Sequence, residues 1–141
     1  KWRRGRAGAV SIVPTTTGAA IATTKVLPQL KGKMDGMAIR VPIPVGSIID
    51  FVVHTEKIVS VESVNQAFRD AATTRQLKGI LGVTDEELVS ADIVGSSYSA
   101  LVDLNSTMII GEQDVKVLAW YDNEWAYALR CVDLAAYIAS Q

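Results

Sequence analysis

The chain has 141 residues, 49% apolar and 21% charged, which suits one folded domain and excludes disorder. Its formal charge is only −1, but Lys1, Arg3, Arg4 and Arg6 crowd four positive charges ahead of Ala7, leaving ten basic against fifteen acidic residues beyond. A basic arm on an acidic body argues against a nucleic-acid binder, whose positive charge spreads over a face. The single cysteine, Cys131, excludes a disulfide framework and a Cys-rich zinc site, and fits a reducing cytosol.

The uncharged run from Ala7 to Thr24 holds Gly8, Pro14, Gly18 and five threonines, so it does not read as a membrane span, and no signal-like stretch follows Lys1. A first residue that is not Met predicts a piece of a longer protein. No repeat or linker divides the chain, which reads as one domain over 1–141. Ala9 to Val13 reads as a strand stopped by Pro14. Thr15-Thr16-Thr17-Gly18 then leads into a helix from Ala19 that Pro28 limits. Met37, Ile39 and Val41 alternate with Ala38 and Arg40, a period of two that Pro42 ends. Ile48 to His54 is a further strand. Ser60 is a good N-cap for a helix that carries Val61, Val64, Ala67, Phe68 and Ala71 on one stripe.

Strands follow at Ala100–Leu104, Thr107–Ile110 and Asp114–Tyr121. A last helix runs from about Glu124 to Ser140, with Ala128, Leu129, Val132, Ala135, Ala136 and Ala139 on one stripe and Tyr127, Cys131, Leu134 and Ile138 beside it. So few charges predict that this helix is largely buried, with Cys131 a structural thiol. Strands at hairpin spacing plus three helices predict an α+β fold, an antiparallel or mixed sheet with helices on one face.

Three groups of residues suit ligand chemistry. A helix N-terminus offers free N–H groups and partial positive charge, Thr17 adds a hydroxyl, Gly18 permits close approach, and the arginines offer paired donors for phosphate or carboxylate. On pattern alone, a helix cap and solvated arginines explain the same residues. Arg40 gains interest only if it converges with Arg3 or Thr17 on one anion. In Trp120-Tyr121-Asp122-Asn123-Glu124-Trp125, Asp122 or Asn123 can cap the last helix. Asn123 can also read a carboxamide through its donor and its acceptor. His54, on the polar side of its strand, reads as a surface residue. No Cys–His or Ser–His–Asp set can be assembled, and no metal-ligand spacing is present.

Together these blocks resemble the C-terminal half of phosphorylating glyceraldehyde-3-phosphate dehydrogenase, of the bacterial and eukaryotic type. The resemblance rests on Trp2-Arg3-Arg4-Gly5-Arg6, Pro14-Thr15-Thr16-Thr17-Gly18-Ala19-Ala20, Leu27 to Lys33, Arg40-Val41-Pro42, Leu77 to Leu81, Trp120 to Glu124 and Arg130 to Ala135, in order from end to end. It implies a mixed, largely antiparallel sheet with helices on one face. It places Arg3, Thr17 and Gly18 at an inorganic-phosphate site, Arg40 at an arginine shared with the substrate phosphate, and Asn123 and Tyr127 beside the nicotinamide of NAD or NADP. The implied partners are glyceraldehyde 3-phosphate, inorganic phosphate and the other subunits of a homotetramer, in the cytoplasm or a plastid, in glycolysis, gluconeogenesis or carbon fixation.

The same resemblance puts the catalytic Cys and His, and an NAD(P)-binding Rossmann domain, upstream of position 1. It therefore implies that no catalytic residue lies in this chain and that the chain alone is inactive. Ile43, Val45, Gly46 and Ala126 depart from residues common in the family, which leaves the erythrose-4-phosphate dehydrogenase branch open. A reading from another class is an isolated anion-binding or protein-interaction module.

Overall fold

The computed structural model describes residues 2–3 and 5–141, so Lys1 and Arg4 of the basic arm lie outside the described residues. The chain divides into two compact units, Lys1–Pro44 and Val45–Gln141.

In the first unit, strand β1 (Val13–Thr16) pairs antiparallel with β2 (Met37–Arg40), Val13 opposite Arg40 and Thr16 opposite Met37. The strand expected over 9–13 thus lies further along, with Pro14 inside it. In a ladder of two strands both are edges, and an edge tolerates a residue without an N–H. Helix α1 (Ala19–Val26) follows, and Thr17 Oγ1 accepts the Ala19 N–H at 3.2 Å, as a hydroxyl-rich helix start should. Pro28 opens a 3-10 turn, Pro28–Leu30, beyond which the α-helix does not continue. Among the described residues of this unit, Val13 and Ala20 alone are buried apolar side chains; Met37, Ile39 and Val41 stand exposed.

The second unit is α+β. It comprises β3 (Ser47–His54), α2 (Val61–Thr73), β4 (Leu81–Thr84), β5 (Ala100–Ile110), β6 (Asp114–Tyr121) and α3 (Trp125–Ala139). The sheet order is β3-β6-β5-β4, antiparallel except for the parallel β4–β5 pair. Helix α2 begins as its sequence demands: Ser60 Oγ accepts the Ser63 N–H at 3.1 Å, and Ser63 Oγ returns the favour to the Ser60 N–H at 2.9 Å. Its Phe68 packs with Leu81, Val83 and Ala100 on the buried Val102, Leu104 and Ala119.

Two expected strands, 100–104 and 107–110, are one strand with an irregularity between Asp103 and Met108. Asn105 and Ser106 read as a break, but their surroundings satisfy the disturbed backbone. Asp103 Oδ1 accepts the Ser106 N–H at 3.2 Å, and Asn65 of α2 donates to the Leu104 carbonyl at 3.0 Å while accepting from Thr107 Oγ1 at 2.7 Å.

Helix α3 departs from expectation. Only Ala126 is buried along it, while Val132, Leu134, Tyr137 and Ile138 are exposed. Its apolar stripes are real, but no described element of the chain covers them. Cys131 is accordingly exposed, not buried. Among the described residues, no helix is long and apolar enough to cross a membrane.

Candidate functional site

The first unit concentrates positive charge. Residues 1–44 hold eight basic side chains and one acid, Asp35, and residues 45–141 hold six against fourteen. Arg3, Arg6, Ser11, Ile12, Val13 and Pro14 line a cavity of about 300 Å³, a volume in the range of small-ligand sites. Val13 is also the cross-strand partner of Arg40, so the ladder brings Arg40 next to the cavity wall that Arg3 completes. Neither Arg3, Arg6 nor Arg40 forms an ion pair with any described residue, which leaves two guanidinium forks at the cavity and a third alongside.

Thr17 and Gly18 do not line that cavity; they sit between β1 and α1, with Gly18 at the N-cap position and Thr17 Oγ1 accepting the Ala19 N–H. A Cβ at Gly18 would meet nothing within 4 Å, so the space before the helix is open. Ser11 was not among the residues that the sequence suggested, and Arg6 entered only with the arm's other arginines, with no site of its own. Arg6 could have been singled out from its spacing of three from Arg3, which the backbone bond from Arg6 N–H to the Arg3 carbonyl turns toward it at 3.3 Å.

In the second unit the turn between β6 and α3 is built on Asp122. Its buried carboxylate accepts the Gly95 N–H through Oδ2 at 2.8 Å, and the Glu124 and Trp125 N–H groups through Oδ1, each at 2.8 Å. Asp122, not Asn123, is therefore the residue that satisfies the start of α3. The Gly95 N–H above all, with those of Trp125 and Glu124, holds this carboxyl below the usual carboxylate range.

Asn123 is thereby free for another task. Its Oδ1 accepts from the Gly46 N–H at 3.2 Å and from Ser47 Oγ at 3.3 Å, and its Nδ2 keeps no partner among the described residues. The acceptor that a bound carboxamide was expected to use is thus already engaged, and a donor remains. Tyr127, one helical turn further on, is 72% exposed. Trp120 is committed elsewhere, its Nε1 donating to Asp103 Oδ2 at 3.3 Å. Sequence reasoning missed Gly46 and Ser47 as partners of Asn123; the one local signal was a glycine immediately before a strand.

His54 is exposed, as its strand position predicts, with Nδ1 2.8 Å from Asp114 Oδ1. Among the described residues no group of three or more His, Cys, Asp and Glu side chains could hold a metal ion.

Residues 1–123 match the family described as glyceraldehyde 3-phosphate dehydrogenase, C-terminal domain. Over 139 residues the chain is 57% identical to a glyceraldehyde-3-phosphate dehydrogenase of Geobacillus stearothermophilus, covering 99% of the chain and 41% of the relative. It is 52% identical to one from Streptomyces coelicolor with the same coverage. A chloroplastic glyceraldehyde-3-phosphate dehydrogenase of Arabidopsis thaliana is 54% identical over 98% of the chain and 35% of the relative. The chain spans about two fifths of the length of the curated relatives it matches.

Proposed function

Because this chain belongs to the family of glyceraldehyde 3-phosphate dehydrogenase C-terminal domains, we propose that it forms the substrate-binding part of a phosphorylating aldehyde dehydrogenase. The reaction is oxidation of glyceraldehyde 3-phosphate, with NAD or NADP as hydride acceptor, and capture of the acyl group by inorganic phosphate as 1,3-bisphosphoglycerate. In this reading Arg3, Thr17 and Gly18 hold inorganic phosphate. Arg40 is shared with the phosphate of the aldehyde. Both anions are then fixed by charge-assisted hydrogen bonds, which lowers the entropy still to be lost at the reacting centre.

The cavity lined by Arg3 and Arg6, with Arg40 across the ladder from Val13, is the observation that supports the parts given to Arg3 and Arg40; Thr17 and Gly18 stand outside it, at the open start of α1. The residues present also suit a nicotinamide. Asn123 Nδ2, which has no partner among the described residues, can donate to a carboxamide oxygen, and Tyr127 offers an exposed ring one turn away. The cofactor, when bound, supplies the hydride acceptor; the part of Asn123 is to orient its carboxamide. The uncovered apolar residues of β2, β3 and α3 support assembly with further protein surface, here read as a homotetramer. Relatives from bacteria and from a chloroplast support a cytoplasmic or plastid setting.

Arg3→Ala and Arg40→Ala in the full-length protein test the anion sites. Loss of a charge-assisted bond is expected to raise the KM for phosphate or for the aldehyde about tenfold to a hundredfold. The dissociation constant for the dinucleotide should hardly move. Unchanged KM values for both substrates in either variant would remove that arginine from the site.

A further inference from the structure

The Oδ1 of Asn123 faces two donors that come from the start of β3, 76 and 77 positions earlier in the chain. Gly46 contributes a backbone N–H, which can only donate. An amide turned the other way would set its own N–H₂ against that N–H, so the oxygen must face Gly46. The Ser47 hydroxyl donates into the remaining lone pair, and the acceptor capacity of Asn123 is then used up.

The direction of the Gly46 N–H is itself fixed. Gly46 has φ +94, and a Cβ there would lie 2.9 Å from the Ser90 carbonyl oxygen, so conformation and space both require glycine. On the other side Asp122 holds Gly95, Glu124 and Trp125 by their N–H groups, which pins the backbone that carries Asn123. Both the backbone and the amide plane of Asn123 are therefore set before any ligand arrives.

We infer that Gly46 and Ser47 are positioning residues that make Asn123 a one-way hydrogen-bond donor toward the carbonyl oxygen of a bound carboxamide. The inference rests on the reading that Asn123 meets the nicotinamide, and it adds which atom does so and what aims it. Nδ2 reads the carbonyl oxygen; the carboxamide NH₂ finds no acceptor on Asn123. A pre-aimed donor loses less rotational freedom on binding than a free amide does.

The test compares NAD and NADP with ADP-ribose, which lacks the nicotinamide, by tryptophan-fluorescence titration of the full-length protein. Asn123→Ala should weaken binding of the dinucleotide and leave ADP-ribose unchanged. Ser47→Ala should weaken the dinucleotide about threefold to tenfold, as one lost hydrogen bond does, again sparing ADP-ribose. Ser47→Thr, which keeps the hydroxyl, should restore the affinity. If Ser47→Ala leaves the dinucleotide unaffected while Asn123→Ala weakens it, the positioning role is wrong and the Asn123 reading survives. Equal weakening of dinucleotide and ADP-ribose by Ser47→Ala marks a merely structural serine and overturns the inference. If Asn123→Ala changes neither ligand, the underlying reading of Asn123 fails, and the inference with it.

Discussion

The two units of this chain divide positive charge from packing. Residues 1–44 carry eight basic groups and one acid, and their regular elements among the described residues are two four-residue strands, an eight-residue helix and one 3-10 turn. Residues 45–141 carry fourteen acids and build a four-stranded sheet under α2. Two paired strands and a helix of two turns are each marginal alone, so the first unit owes little of its order to a core of its own. Like charges gathered in one unit repel one another, and an anion that bound among them would stabilise the unit by mass action. In the second unit order comes first, and Asn123 is delivered to its place by packing and backbone hydrogen bonds.

The largest expected effect is on the core that makes the second unit different. Leu104→Ala leaves a cavity among Val102, Ala119 and Phe68 and should cost about 3 kcal/mol in urea denaturation. Val13→Ala, at the best-buried apolar side chain of the first unit, removes two carbons beside an open cavity and should cost about 1 kcal/mol. Equal losses in the two variants would mean that the units are packed alike, and the contrast would fall.

A second test addresses Asp122 and the pH. Its carboxyl titrates lower in the folded chain than in the unfolded one, so it favours folding at pH values above the ordinary carboxylate pKa. That contribution is lost as the pH falls through the lowered folded value. Thermal melts should therefore show Asp122→Asn destabilised at neutral pH, with the difference from the parent narrowing below about pH 4. A difference that stayed constant down to acid pH would show that the charge of Asp122 plays no part.

What could be read in advance follows the range of the forces involved. The Ser60 cap and the stripe of α2 are contacts within a few residues, and β6 alternates cleanly, so their bounds are written locally. Strand β5 looked broken because Asn105 and Ser106 favour turns; the Asn65 side chain that mends it is 39 residues from Leu104. Strand β4 is four residues with Gly82 in the middle and carries no period to detect. The apolar stripes of α3 show that the helix seeks cover but say nothing of whether this chain provides it. Asn123 and Arg40 stood out by type and setting. Their neighbours, Ser47 at one and the Val13 cavity wall at the other, come from pairing that no local pattern records.

The smallest expected effect concerns the charges that face solvent in the acidic unit. Lys116 Nζ lies 2.9 Å from Asp50 Oδ2, with both side chains more than a third exposed. At such sites water competes for both ions, and ordering two flexible side chains offsets the attraction. A double-mutant cycle of Lys116→Ala and Asp50→Ala should give a coupling of about 0.5 kcal/mol or less, shrinking further as salt is added. The same cycle on Arg3 and Arg40, read through phosphate affinity in the full-length protein, should give a larger coupling if both grip one anion. A coupling for Lys116–Asp50 as large as that for Arg3–Arg40 would erase the distinction between charge arranged for a ligand and charge that only solvates a surface.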